Sequence, residues 1–411
     1  MSETIAVTSV PANTRQLSLA LHVGFVLIGV VNTMLGPILP LLSKRWHLND
    51  AQAGGLFIAQ FTGGLIGAIL SSILIVRIGF LQLLMTGFGV MAASLIFLSI
   101  DSWIVGWLAI GLSGVTLGLT TPATNLLVSI LNPLRRASAL NVLNLTWGIG
   151  AMCSPLLPLM ARSESIAVPI LVLAALLAVL PMMIWVGARH SLRDLHPANA
   201  VTVETDVETS VLRSWLKRSA LLAALWFFVY AGTEAAVGGW IASFAQRIGS
   251  QGQTMWALMP SFFYGGLLAG RGLAPIILRH VNERRLVIVA LITAMAGLAL
   301  ILMSGNLNSV SIGALLAGLG MAPVFPTVFA LFTQHFAAQA AKMAGGVFVM
   351  TYLGSSFIPW SVGWVSAMSG ELRWGLSIVL IAVVIQLVLQ FIVLNIFIGS
   401  DKFKIDRMEK R

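Results

Sequence analysis

Two stretches of the chain decide the reading: Phe61-Thr-Gly-Gly-Leu-Ile-Gly-Ala-Ile-Leu-Ser-Ser-Ile-Leu-Ile-Val-Arg77 and Phe263-Tyr-Gly-Gly-Leu-Leu-Ala-Gly-Arg-Gly-Leu-Ala-Pro-Ile-Ile-Leu-Arg279. They align without gaps at an offset of 202 residues. The same offset places Ile110-Gly111 on Ile312-Gly313, Leu117-Gly118 on Leu319-Gly320, and Gly36 on Gly238. Single matches between apolar segments mean little, but one offset holding over three helix pairs marks an internal duplication.

Each stretch belongs to an apolar block of 20 or so residues. At 1.5 Å per residue that length crosses ~30 Å of hydrocarbon. The chain of 411 residues is 58% hydrophobic and 9% charged. That leaves too little polar surface for a water-soluble globule, which carries about 25% charged residues. The blocks do not alternate in polarity, which excludes barrel strands and predicts an all-α membrane protein. Twelve spans are expected, at 17–42, 51–76, 81–100, 103–131, 137–160, 166–187, 219–244, 254–278, 286–304, 309–332, 343–368 and 372–397. Asn49-Asp50 is placed to cap the second span and Asn132-Pro133 to close the fourth. The polar stretch 188–218 divides the spans six and six. The expected organisation is a six-helix half at 1–187, a cytoplasmic linker at 188–218, a second half at 219–397 and a basic cytoplasmic tail at 398–411. An even number of spans per repeat makes the halves parallel copies related by an axis along the membrane normal.

Lys and Arg set the orientation. With both termini inside, the inner segments carry eighteen of the 24 basic residues and the outer loops five, with Arg271 inside a span. A bacterial inner membrane with both termini cytoplasmic is expected. The net charge of +10 follows from these short basic loops and not from a patch interleaved with aromatics, so no nucleic-acid partner is expected. The single cysteine, Cys153, excludes an intrachain disulfide and a cysteine metal cluster. Residues 1–16 are polar and the first apolar block is long, so no cleavable leader is expected.

Charge within a bilayer is costly and marks function. Of the 14 acidic residues only Glu234 falls deep in a span, and its basic counterpart is Arg271. Counting helix rise, Glu234 lies ~24 Å from the inner end of span 7 and Arg271 ~12 Å from that of span 8, a difference of ~12 Å in level. Their mutual neutralisation is the bland alternative to a substrate or cation site. Tyr230, four residues before Glu234, shares its face, and Gly238 continues it as a gap. Trp240 is a candidate for stacking on a bound solute, or else an interfacial anchor. Asn32 is the repeat mate of Glu234. Gln60, Asn125, Asn144 and Trp147 complete the candidate binding set, with helix–helix bonding as the alternative for the amides. Gln386 and Gln390 are expected to be peripheral.

Twelve spans in two halves, a polar central loop and Arg77-Ile-Gly79 after span 2 resemble the major facilitator superfamily. The family's loop pattern, Gly-x-x-x-Asp-Arg-x-Gly-Arg, keeps only Arg77 and Gly79 here; Ser72, Val76 and Phe80 replace the others. Leu117-Gly-Leu-Thr-Thr-Pro-Ala-Thr-Asn125, Ala139-Leu-Asn-Val-Leu-Asn-Leu-Thr-Trp-Gly-Ile-Gly150, Tyr230-Ala-Gly-Thr-Glu-Ala-Ala-Val-Gly-Gly-Trp240 and Ala322-Pro-Val-Phe-Pro326 are similar to the branch around fucose permease and the sodium-dependent glucose transporters. The resemblance implies a sugar-like solute moved by alternating access. The membrane carboxylates of fucose permease fall at Gly36 and Thr121, so its coupling scheme does not transfer. Coupling to H⁺ or Na⁺ through Glu234 is expected instead, in a monomer without cofactor or resident metal. Proton-driven export of a drug, siderophore or metabolite is the alternative, weakly favoured by Gly150-Ala-Met-Cys-Ser-Pro155. A membrane enzyme or sensor is a remote one: no catalytic cluster and no nucleotide-binding signature is present.

Overall fold

The computed structural model describes residues 15–161, 165–188, 218–249, 254–336 and 340–408. The central linker at 189–217 and the last three residues lie outside them. Twelve passes are present among the described residues. Span 1 is Arg15–Thr33 followed by Leu35–Arg45, and spans 2 and 3 share Asp50–Leu98, divided at the non-helical Gly79. Span 4 is Trp103–Leu131, span 5 Arg136–Cys153 with Leu156–Leu159, and span 6 Ala167–Ala188. In the second half span 7 is Arg218–Ile248, span 8 Met259–Ile277 and span 9 Glu283–Met303. Span 10 is Leu307–Met321 with Val324–Phe336, span 11 Ala340–Ser369 and span 12 Leu372–Met408.

The breaks have local causes. Pro37, Pro158 and Pro326 each lack the N–H that would bond four residues back, and the helix divides at or just before that point in spans 1, 5 and 10. Between spans 2 and 3 the chain turns at Gly79, whose φ of 80° is open to a residue without Cβ. Asn49 caps span 2 in a reciprocal pair with Gln52, and span 4 ends at Asn132 as expected. Span 12 departs from expectation by continuing as helix to Met408 rather than ending at 397. No proline follows Pro359 to stop it.

Large apolar side chains face outward all round the bundle, among them Val76, Ile104, Met182 and Val289. A surface of this kind belongs in lipid. Gln386 and Gln390 are not peripheral. Both are fully buried, without a hydrogen-bond partner among the described residues, on a helix packed against spans 7, 9 and 11.

Within each half, glycines let the helices close to backbone contact. A Cβ on Gly63 would meet the carbonyl of Gly111, and one on Gly266 that of Leu315, which are equivalent crossings in the two copies. The halves themselves meet through span 2 on span 11, the second segment of span 1 on span 7, and span 5 on span 8. We call the face from which span 1 departs at Arg15 the terminal face. Towards the opposite face the halves are locked together. Gly36 packs on the carbonyl of its own repeat mate Gly238, and Gly54 on Trp360. The Asp50 carboxylate accepts from Arg247 at 2.9 Å and from the Ser366 hydroxyl. Towards the terminal face the contacts between the described residues give out. Gly148 still touches Leu268, whereas Asn144 and Asn141, on the same face of span 5 but nearer that end, are exposed. A cleft therefore opens between the halves on the terminal side.

Candidate functional site

At the head of this cleft lies a cavity of about 240 Å³. Six of the nine candidate residues line it: Asn32, Gln60, Trp147, Tyr230, Glu234 and Arg271. The proline break in span 1 exposes Asn32, Thr33, Leu35 and Gly36 to it. Span 7 presents Tyr230, Glu234 and Gly238 from one stripe, four residues apart. The gap at Gly238 is taken by the Tyr264 hydroxyl. A second chamber of about 140 Å³ shares Asn32, Gln60, Trp147, Thr351 and Ser355 with the first and adds Thr121 and Tyr352.

Glu234 and Arg271 come together. Oε1 of Glu234 lies 3.9 Å from Nη2 of Arg271, so the ~12 Å difference in level counted from helix rise does not keep the two charged groups apart. That separation exceeds a hydrogen bond, which ends near 3.2 Å. Arg271 lies over Trp147 of the first half, with its guanidinium carbon 5.9 Å from the indole centroid. Nε of Arg271 is buried without a partner among the described residues. Span 7 is held by Tyr230, whose hydroxyl donates to the Met321 carbonyl at 3.0 Å and whose ring stacks on Trp226. Ser355 donates to the Ala231 carbonyl at 3.2 Å. Gln60 is committed through its amide nitrogen to the Asn32 carbonyl at 3.0 Å, which leaves the Asn32 side chain facing the cavity.

Three candidates stand elsewhere. Trp240 is fully buried, its indole N–H donating to the Pro359 carbonyl at 2.8 Å and its ring packed on Phe57. Six residues beyond Glu234 the helix has turned it into the span 7–span 11 seam. Asn125 and Asn144 do not line the cavity; each donates to the carbonyl four residues back, Thr121 and Leu140, at 2.9 Å. Tyr264, Phe57, Phe61, Phe325, Phe348, Thr351 and Ser355 line it without having been singled out. One signal was available: all three tyrosines of the chain, Tyr230, Tyr264 and Tyr352, border these chambers.

The Major Facilitator Superfamily profile matches residues 21–359. The chain belongs to that superfamily. It is a multi-pass membrane transporter of small solutes, not an enzyme. It is 23% identical over 357 residues to a glucose/galactose transporter of Brucella abortus biovar 1 (strain 9-941), covering 82% of this chain and 84% of the relative. Its fold is similar to that of the nucleoside transporter NupG, with a TM-score of 0.73, 14% identity, and coverage of 94% of this chain and 99% of that one. It is also similar to a variant of the E. coli fucose:proton symporter FucP, with a TM-score of 0.62, 17% identity, and coverage of 93% and 99%.

Proposed function

We propose that this superfamily member moves a monosaccharide-sized, polyhydroxylated solute by alternating access, with Glu234 carrying a coupling proton. The observation that carries the reading is the placement of Glu234 beside Arg271 at the meeting line of the halves, over a cavity ringed by Asn32, Tyr264, Thr351, Ser355 and Trp147. Hydroxyl and amide groups suit sugar hydroxyls, and an indole suits the C–H face of a ring. The volume supports a monomeric solute, since drug-sized ligands occupy roughly 300–1,000 Å³. The glucose/galactose transporter named among the relatives supports the same class.

Between the two coupling ions, a proton fits better. A Na⁺ ion at Glu234 would sit within ~4–6 Å of a guanidinium charge, where like charges repel. No group of three or more His, Cys, Asp or Glu side chains converges among the described residues. The excess of Lys and Arg on the terminal side supports cytoplasmic termini in an inner membrane, and hence a cleft open to the cytoplasm. The unit is read as a monomer: the site is complete within one chain.

The test is uptake into proteoliposomes. Glu234→Gln is expected to lose accumulation driven by a pH gradient while keeping solute exchange. Gradient-driven accumulation equal to that of the unmodified protein overturns the coupling role.

A further inference from the structure

Arg271 has more capacity than the site uses. The Tyr230 hydroxyl lies within reach of both Arg271 and Glu234, but among the described residues Nε of Arg271 is buried and unpartnered, and Glu234 stands off at 3.9 Å. One face of the guanidinium is covered by Trp147 and its side chain is 31% exposed. A guanidinium held by its face and with spare N–H capacity at its edge is matched by a planar carboxylate, which takes two of its N–H groups at once.

Charge balance points the same way. With the site empty, ionised Glu234 and Arg271 sum to zero. When Glu234 takes a proton, Arg271 is left uncompensated in a cavity walled by Phe57, Phe61, Phe325 and Phe348. An unpaired charge in such surroundings is strongly penalised. A neutral sugar leaves that charge bare, whereas an anionic one cancels it. The two states that can close around the site without net charge are therefore the empty ion pair and the state holding proton and anion together.

Resting on the proton-coupled reading above, we propose that the preferred solute is a sugar acid, a polyhydroxylated monocarboxylate, whose carboxylate pairs with Arg271 once the proton on Glu234 has released it. Proton and anion enter and leave together, so one turnover moves no net charge. Loss of either partner traps the site with a charge it cannot carry across.

The test uses the purified full chain with galacturonate and galactose as probes, which differ at one carbon. Galacturonate is expected to bind roughly ten- to a hundredfold more tightly than galactose, the range given by adding charge-assisted bonds. Its binding should tighten as pH falls. The sugar acid itself stays ionised, since free carboxyls titrate near pH ~3.5. In proteoliposomes its uptake should respond to a pH gradient and not to a potassium-diffusion potential. Arg271→Gln should abolish the preference, and Arg271→Lys should restore part of it. The wild-type comparison stands even if the variants do not fold. Galactose bound as tightly as galacturonate, or acid uptake driven by membrane potential, overturns the proposal. If galactose alone is taken up with Glu234-dependent proton coupling, only this inference falls. If neither probe binds in the millimolar range, the sugar-class reading falls with it.

Discussion

Arg45 and Arg247 occupy equivalent positions in the two halves, 202 residues apart at the ends of spans 1 and 7. Arg45 turns inward to its own half, with Nε donating to Asp101 at 2.7 Å and Nη2 to the Ser99 carbonyl at 3.0 Å. Arg247 crosses to the other half and grips Asp50. The same asymmetry runs down the pseudo-axis. Gly36 and Gly238 touch one another, while one turn below them Asn32 and Glu234 face the shared cavity with an amide on one side and an acid on the other. Duplication supplied two copies of a scaffold. The differences between mates then assigned one copy to hold itself together and the other to carry the charge and close the seam.

Five substitutions sharpen that contrast. The largest effect is expected at Gly36→Leu, whose side chain collides with the backbone of Gly238. Overpacking of this kind costs roughly 1–3 kcal/mol, here charged to the closed seam. Spin labels at His47 and Glu371, on opposite halves at the non-terminal face, should move apart, and an unchanged distance would remove the seam from the account. Next comes Asn32→Ala, which deletes a side chain facing the solute and should weaken binding by about 0.5–1.5 kcal/mol in calorimetry. Arg247→Gln follows, because the pair is partly exposed and such pairs contribute about 0.2–1 kcal/mol. It should widen the same label distance in a fraction of molecules, whereas Arg45→Gln should lower the melting temperature and leave the distance alone. Asn144→Ala is expected to stay within about 0.5 kcal/mol of the unmodified protein in binding, as an exposed residue bonded only to its own helix does.

Much of this was legible in the chain itself. Apolar blocks of membrane length and the 202-residue offset carry the twelve passes and the parallel halves. They do so because lipid leaves the backbone few options. Proline alone did not mark the breaks in spans 1, 5 and 10, because it also sits inside the unbroken spans 4, 6, 8 and 11. Helical spacing brought Tyr230, Glu234 and Gly238 onto one stripe, and the repeat brought Asn32 to the same cavity. What depends on helix tilt and on which neighbour a face meets was not legible. Rise alone set Glu234 and Arg271 ~12 Å apart in level, yet their charged groups stand 3.9 Å apart. Trp240 shares a motif with Glu234 but points into the span 11 seam. Gln386 and Gln390 read as lipid-side residues because nothing in a uniformly apolar helix reveals which face is inward.

The central claim is that the acid at 234, absent from its mate at 32, couples proton to solute. Its most direct test is a paired measurement on Glu234→Gln in proteoliposomes, using whichever of galactose or galacturonate the unmodified protein takes up. Exchange of labelled solute at equal concentrations should persist, while accumulation under an imposed pH gradient should fall to the level of protein-free vesicles. Accumulation at the unmodified level would place the coupling elsewhere in the chain and contradict the account.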